Sequence, residues 1–171
     1  MRPRDPLADP QRLIRRVYAY VAYRIGDGPD AEDVTAEAME RAVRYIDSYD
    51  PARGDATGWV IGIARRVLQS RAAAAPTSSL QDSAHSTESF EEGSLRRVTV
   101  AAAVSRLGDR ERELVALRYG ADLSAREIAR LLEMKTNAVE VALHRTVGRL
   151  RAELSSDSSV SPSAIVQPVP D

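Results

Sequence analysis

Asn137, Glu140, His144, Arg145 and Arg149 recur at helical spacing, which lines hydrogen-bonding and cationic side chains along the outer face of one helix. Asparagine and arginine can pair bidentately with base edges. A glutamate can accept from cytosine N4, and a cation that meets no base can hold a phosphate. Such a helix needs a neighbour that sets its angle. The preceding residues supply one, in the run Leu123–Arg151, LSAREIARLLEMKTNAVEVALHRTVGRLR. Ser124 followed three residues later by Glu127 makes a capping box. Ile128, Leu131 and Leu132 then share a face, with Arg126, Arg130 and Glu133 outside. Met134-Lys135-Thr136-Asn137 breaks the pattern, and Thr136 or Asn137 is the expected cap of a second helix. In that helix Val139, Leu143, Val147 and Leu150 form the apolar stripe. A short helix, a tight turn and a longer helix place a helix in the DNA major groove. The same spacing also fits two ordinary packed helices with solvated charges. Asp109–Tyr119 adds a third helix, with Asp109 as its expected N-cap, Leu114, Val115, Leu117 and Tyr119 as core candidates, and Gly120 as its end.

The bulk composition bounds the function classes. A chain of 171 residues with net charge −1 shows no overall bias toward polyanions. The charge is unevenly spread, however. Residues 95–154 carry four more basic than acidic side chains, and residues 75–94 carry four acids and no base. A basic half preceded by an acidic segment fits an electrostatic footprint for DNA on the C-terminal half. There is no cysteine, so disulfides and thiolate metal sites are excluded. His85 and His144 sit apart in a polar segment and on a charged helix, so no metal site and no cofactor are expected. No secretory leader pattern and no apolar run of membrane-spanning length is visible, and a soluble, cytoplasmic protein is expected. Lys135 is the one lysine against 23 arginines. A GC-rich genome produces that bias, so the arginines are not in themselves evidence for nucleic-acid binding.

The elements that must carry these residues are all helical. β-branched alternation is absent, so an all-α fold of two small helical domains is expected, covering residues 7–74 and 95–154. Residues 75–94, rich in Ser, Thr and acids, read as a flexible linker, and residues 155–171 as a disordered tail. In the first block, Leu13, Val17, Tyr20, Val21 and Ile25 mark one helix, ended by Gly26-Asp27-Gly28-Pro29. Asp30-Ala31-Glu32-Asp33 caps the next in an acid-rich first turn, and Val34, Ala38, Met39, Ala42, Val43 and Ile46 run along it. After the turn Asp50–Gly54, a third helix from Thr57 turns Trp59, Ile63, Val67 and Leu68 inward.

Two blocks of residues resemble a known family. Gly26–Val34, Glu37, Arg41-Ala42, Tyr49-Asp50-Pro51, Arg53-Gly54, Trp59 and Ile63-Ala64-Arg65 resemble conserved region two of the extracytoplasmic-function (group IV) sigma factors of bacterial RNA polymerase. Leu107, Arg110–Glu113, Leu117-Arg118-Tyr119, Leu123-Ser124, Glu127-Ile128-Ala129, Leu132, Val139 and Leu143-His144-Arg145 resemble region four. The blocks come in the family's order. The resemblance implies an alternative sigma factor that binds core RNA polymerase through its β′ and β subunits and melts promoter DNA. It implies that Asp33, Glu37, Glu40 and Arg41 face the β′ subunit. It places Arg53, Thr57, Trp59, Arg65, Arg66 and Arg71 at the −10 element, although a lone Trp on an apolar face is more often a core residue. It places Arg126, Lys135, Thr136, Asn137, Glu140, His144, Arg145 and Arg149 at the −35 element. A dedicated anti-sigma factor is the expected regulator.

The chain departs from the family pattern at Ala36, Ala56, Ser70, Glu140 and Ala142. Glu140 repels phosphate, so weak affinity for isolated DNA is expected. Two other readings stay open: a stand-alone helix-turn-helix regulator, which leaves the first block unexplained, and a sigma-like interaction module that reads DNA poorly. No nucleophile, metal-ligand or phosphate-loop pattern points to an enzyme.

Overall fold

The computed structural model describes residues 5–74 and 92–157, and within them every regular element is a helix or a helical turn. Helix α1 (Pro10–Ile25) is opened by Asp9, whose carboxylate accepts from the Arg12 N–H at 3.0 Å, with Pro10 at its first position. It buries Leu13, Val17, Tyr20 and Val21, while Ile25 stays at the surface. Helix α2 (Pro29–Arg44) starts one residue before the expected cap. Gly28 is the N-cap, Pro29 presets the first turn, and Asp30 and Glu32 meet the positive helix end. Its last turn carries Arg41 and Arg44, and Val43, expected inside, is 60% exposed. A 3₁₀ turn (Ile46–Ser48) leads to Tyr49, whose hydroxyl donates to the Gly54 carbonyl at 3.2 Å. Asp55 then accepts from the Gly58 N–H at 2.8 Å and opens helix α3 (Ala56–Ala74).

Helix α3 turns a different face inward from the one expected. Thr57, Val60, Ile61, Ala64 and Val67 are buried, and Trp59, Ile63 and Leu68 lie half-buried at the edge of the core. The second block begins with helix α4 (Glu92–Ser105). The single helix expected over Asp109–Tyr119 is broken. Helix α5 (Asp109–Val115) runs into a π turn (Ala116–Gly120) in which the Ala121 N–H reaches the Ala116 carbonyl at 3.0 Å. Gly108, not Asp109, is the cap, because the Asp109 carboxylate is taken by Arg24, 3.3 Å away. The wider π turn also carries Tyr119 outward, to 54% exposure, so it is not a core residue. Helix α6 (Ala125–Leu131) has the full capping box: the Ser124 side chain accepts from the Glu127 N–H, and the Glu127 carboxylate accepts from the Ser124 N–H. Helix α7 (Thr136–Asp157) closes the described chain. Residues 92–94 and 155–157, read as linker and tail, are thus helical; the remainder of both segments lies outside the described residues.

The two blocks share one apolar core. Val17, Tyr20 and Val21 of α1 pack with Val34 and Ala38 of α2 and Val60, Ile61 and Val67 of α3. The same cluster continues through Leu114, Leu117, Leu123 and Ile128 to Val139 and Leu143 of α7. Helix α1 is the shared wall, in contact with α2, α3, α5 and the π turn. The closest approach is at Gly120. A Cβ there would lie 2.8 Å from both the backbone N and the Cα of Tyr20, so only a glycine lets the π turn rest on α1. A second, smaller cluster of Val104, Leu107 and Val115, with Tyr23 and Leu150 against it, ties α4 and α7 to the same assembly.

Helix α6 spans only seven residues and is too short to persist without its cap and its packing. Ser124→Ala is expected to destabilise the protein by about 1 kcal/mol, read as a lower urea midpoint at unchanged slope.

Candidate nucleic-acid interface

Helix α7 presents its polar row as the spacing predicts. Asn137, Glu140, His144 and Arg145 are exposed, while Val139 and Leu143 are buried against α6 and the core. The cap differs by one residue. The Lys135 carbonyl accepts the Val139 N–H at 3.2 Å, so Thr136 opens the helix and Asn137 stands on its exposed first turn. Arg126 and Lys135 are also exposed. Two features of this face were not legible in the spacing. Val141 is 42% exposed between Glu140 and His144, and can meet a thymine methyl. Arg149 donates to Glu111 at 2.5 Å, so it braces α7 against α5 rather than pointing freely outward. Thr146, unnamed in the apolar stripe, is buried with its hydroxyl satisfied by the Ala142 carbonyl at 2.9 Å.

The first block brings only part of its expected DNA face to the surface. Arg53 and Arg66 are exposed. Thr57 is buried, and its hydroxyl accepts from Arg16 at 3.3 Å, so it is a packing residue and has no access to DNA. Trp59 stands half-buried with its ring centroid 5.4 Å from that of Tyr49, at an interplanar angle of 54°. This tilted pair, with the Tyr49 hydroxyl on Gly54 and the Asp55 cap, holds the turn Asp50–Asp55 in shape. Arg65 donates through Nε to Glu113 at 3.1 Å. Arg71 donates through Nε and Nη2 to Glu37 at 3.2 and 2.8 Å. An open cleft of about 680 Å³ separates this turn and the start of α3 from α6, with Arg53, Trp59 and Arg66 on one side and Glu127, Arg130 and Glu133 on the other.

On α2, Asp33 and Glu40 are exposed acids; Arg44 donates to Glu40 at 2.5 Å and Arg41 to Glu37 at 2.6 Å. Among the described residues no group of three His, Asp or Glu is placed to hold a metal ion, and no helix is long and apolar enough to cross a membrane.

Residues 11–75 match sigma-70 region 2, and residues 97–150 match sigma-70 region 4. The chain belongs to the sigma-70 family. It falls in the extracytoplasmic-function branch, and is 30% identical over 151 residues to the ECF RNA polymerase sigma factor BldN of Streptomyces coelicolor. That match covers 83% of this chain and 57% of the relative, so the chain spans little more than half the relative's length. Two solved structures share the fold. The sigma factor RpoE of Bartonella quintana, in complex with the anti-sigma factor NepR, superposes with a TM-score of 0.72 at 17% identity, covering 85% of this chain and 93% of that one. CnrH in complex with the cytosolic domain of CnrY gives 0.62 at 22% identity, covering 86% and 83%.

Within this sigma-70 chain the region 2 surface is an internally paired charge network. Glu37 bridges α2 to α3, and the Arg71 hydrogen bonds, aided by Arg41, hold its carboxyl below the ordinary 4.5 despite some desolvation. Burial, with Asp55 and Asp50 nearby, pushes the Tyr49 hydroxyl up, so it stays a donor to Gly54. Burial first and Glu113 second raise the Tyr20 hydroxyl, which donates to Glu113 at 3.0 Å. Glu113 was not singled out by its residue type. One cue was available: it lies four residues before Leu117, on the buried face of α5.

A carboxylate whose folded pKa is depressed contributes stability above its unfolded value and loses it as pH falls through the folded one. The Glu37 contribution is therefore complete above 4.5 and fades below it. Thermal midpoints of the parent and Glu37→Gln are expected to differ at pH 7 and to converge as the pH falls from the ordinary 4.5 through the depressed folded value.

Proposed function

We propose that this chain is an alternative sigma factor. It joins core RNA polymerase through the β′ and β subunits, recognises −35 and −10 promoter elements, and helps to melt the DNA between them and the start site. It acts in the cytoplasm without catalysis of its own. The observation that carries the reading is the ordered pair of sigma regions, with the exposed row Asn137, Glu140, His144 and Arg145 on the second helix of a capped helix-turn-helix. In this reading residues 95–154 meet the −35 element, with Arg126, Lys135 and Thr136 on phosphates and Arg149 as brace. Residues 7–74 meet the −10 element through Arg53, Trp59, Arg66 and, once their internal pairs are broken, Arg65 and Arg71. Asp33, Glu37, Glu40 and Arg41 form the β′ docking face. A dedicated anti-sigma factor is supported by the two structural neighbours, both of them complexes: RpoE with NepR, and CnrH with CnrY.

The test is run-off transcription with purified core polymerase on a pool of genomic fragments. Initiation from a discrete subset is the expected result. Fragment binding by the chain alone, with no initiation when core is added, would overturn the proposal in favour of a stand-alone regulator. On a selected promoter, Arg145→Ala or Asn137→Ala is expected to lower initiation about tenfold, since a good bidentate base contact carries about 1–3 kcal/mol of discrimination, with core binding unchanged. Asp33→Ala combined with Glu40→Ala is expected to weaken core binding in a pull-down and to leave thermal stability near the parent's.

A further inference from the structure

The outward face of α7 is short and chemically mixed. Asn137, Glu140, Val141, His144 and Arg145 are exposed at helical spacing, opposite the buried Val139, Leu143 and Thr146. The row ends at Gly148, where an added Cβ would meet nothing within 4 Å. From Asn137 to Arg145 is about 12 Å of helix, the length of three or four base pairs. Two members of this row do not suit a phosphate-binding surface. Glu140 is exposed, and among the described residues no cation is paired with it. Its acidic neighbours in region 4 are used within the fold, Glu111 by Arg149 and Glu127 by its capping box. Val141 is 42% exposed in a row that is otherwise polar. The cations Lys135 and Arg126 stand outside the row, on the preceding turn and on α6.

We propose that Glu140 and Val141 are specificity-determining residues for the −35 element: Glu140 accepts a hydrogen bond from N4 of a cytosine, and Val141 packs on the methyl group of an adjacent thymine. The proposal rests on the sigma-factor reading above. A carboxylate taken from water into a groove is costly unless a donor meets it. The major-groove base edges offer two donors, cytosine N4 and adenine N6. Adenine sets the N7 lone pair beside its amino group, which repels the second carboxylate oxygen, whereas cytosine sets a C–H there. Guanine presents N7 and O6, and thymine O4, all acceptors that leave the carboxylate unpaired. Glu140 therefore selects chiefly through the penalty it imposes on the three wrong bases. Val141 selects by the opposite means, because covering a methyl removes apolar surface from water and only thymine carries one in this groove. An acid in a row that meets a polyanion lowers affinity and raises discrimination. That combination is usable when other contacts supply the affinity and the register.

The test uses the full chain with core polymerase on a promoter selected from the genomic pool, its −35 segment randomised. The parent is expected to favour cytosine about tenfold at one position, with thymine preferred at a neighbouring one. Glu140→Gln should move the first preference from cytosine to adenine, because a glutamine amide pairs bidentately with adenine N6 and N7. Glu140→Ala should flatten it, and both variants should leave the other positions as they are. Val141→Ser should flatten the thymine position alone. Both residues are exposed, so helical content by circular dichroism is expected to match the parent's. A parent without the cytosine preference, or a preference that Glu140→Gln and Glu140→Ala leave in place, would overturn the Glu140 assignment. A thymine preference untouched by Val141→Ser would overturn that of Val141. If no template is initiated, a randomised duplex pool is sorted by gel shift with the chain alone at low salt, where phosphate attraction is strongest. A cytosine-to-adenine change between parent and Glu140→Gln there keeps the Glu140 assignment while the sigma-factor reading falls; no base preference there overturns both.

Discussion

Glu113 is a carboxylate with about a tenth of its side chain exposed, and a charge so placed must be paired or it unfolds its surroundings. Its partners come from the other half of the chain. Tyr20 and Arg24 lie about ninety residues upstream on α1, and Arg65 lies on α3. The contact between the two regions is built around satisfying this one group. Helix α5 has to present its carboxylate toward α1, and the π turn has to bring Gly120 onto the α1 backbone. Arg24, drawn to the same place, takes the Asp109 carboxylate and leaves Gly108 to cap α5. Ion pairs of this kind seldom outweigh their desolvation against an apolar replacement. Their effect is on specificity, because each acid in the cluster has its base in the opposite region.

The same economy governs the outer surfaces. A chain with net charge −1 cannot rely on overall attraction to DNA. Several of its arginines are committed to acids within the fold: Arg71 and Arg41 to Glu37, Arg44 to Glu40, Arg149 to Glu111. What remains outward on α7 is a short row of polar side chains able to pair with base edges, with Glu140 among them. Such a helix can select a sequence only when something else supplies the affinity and the register. In the proposed function that role falls to the polymerase.

The helices themselves were legible because their signals are local. Ser124 with Glu127, Pro29 ahead of an acidic first turn, and the apolar stripes of α1 and α7 each depend on neighbours within a turn or two. The two family blocks were legible for the same reason: each is a run of side chains needed at fixed spacing. Thr57, Tyr119 and Asp109 were misplaced by that reasoning, and Arg65 gained a partner it did not foresee. Thr57 is buried by α1, Tyr119 is swung outward by the π turn, and Asp109 and Arg65 are claimed by partners in the other region. The burial of Thr57 and the pairing of Asp109 and Arg65 each depend on a residue dozens of positions away.

By itself, then, the sequence determined an all-helical chain with a capped helix-turn-helix, the polar row on its second helix and the acid-rich face of α2, because helix periodicity and capping are short-range. Only the tertiary structure decided which of the candidate side chains face outward and that the two regions rest on each other. A glutamate on a helix looks solvated until its partners are known, and a glycine looks like a helix end until a backbone is found against it. The physical reason is that charge pairing and close packing act through space, between residues whose separation along the chain carries no signal.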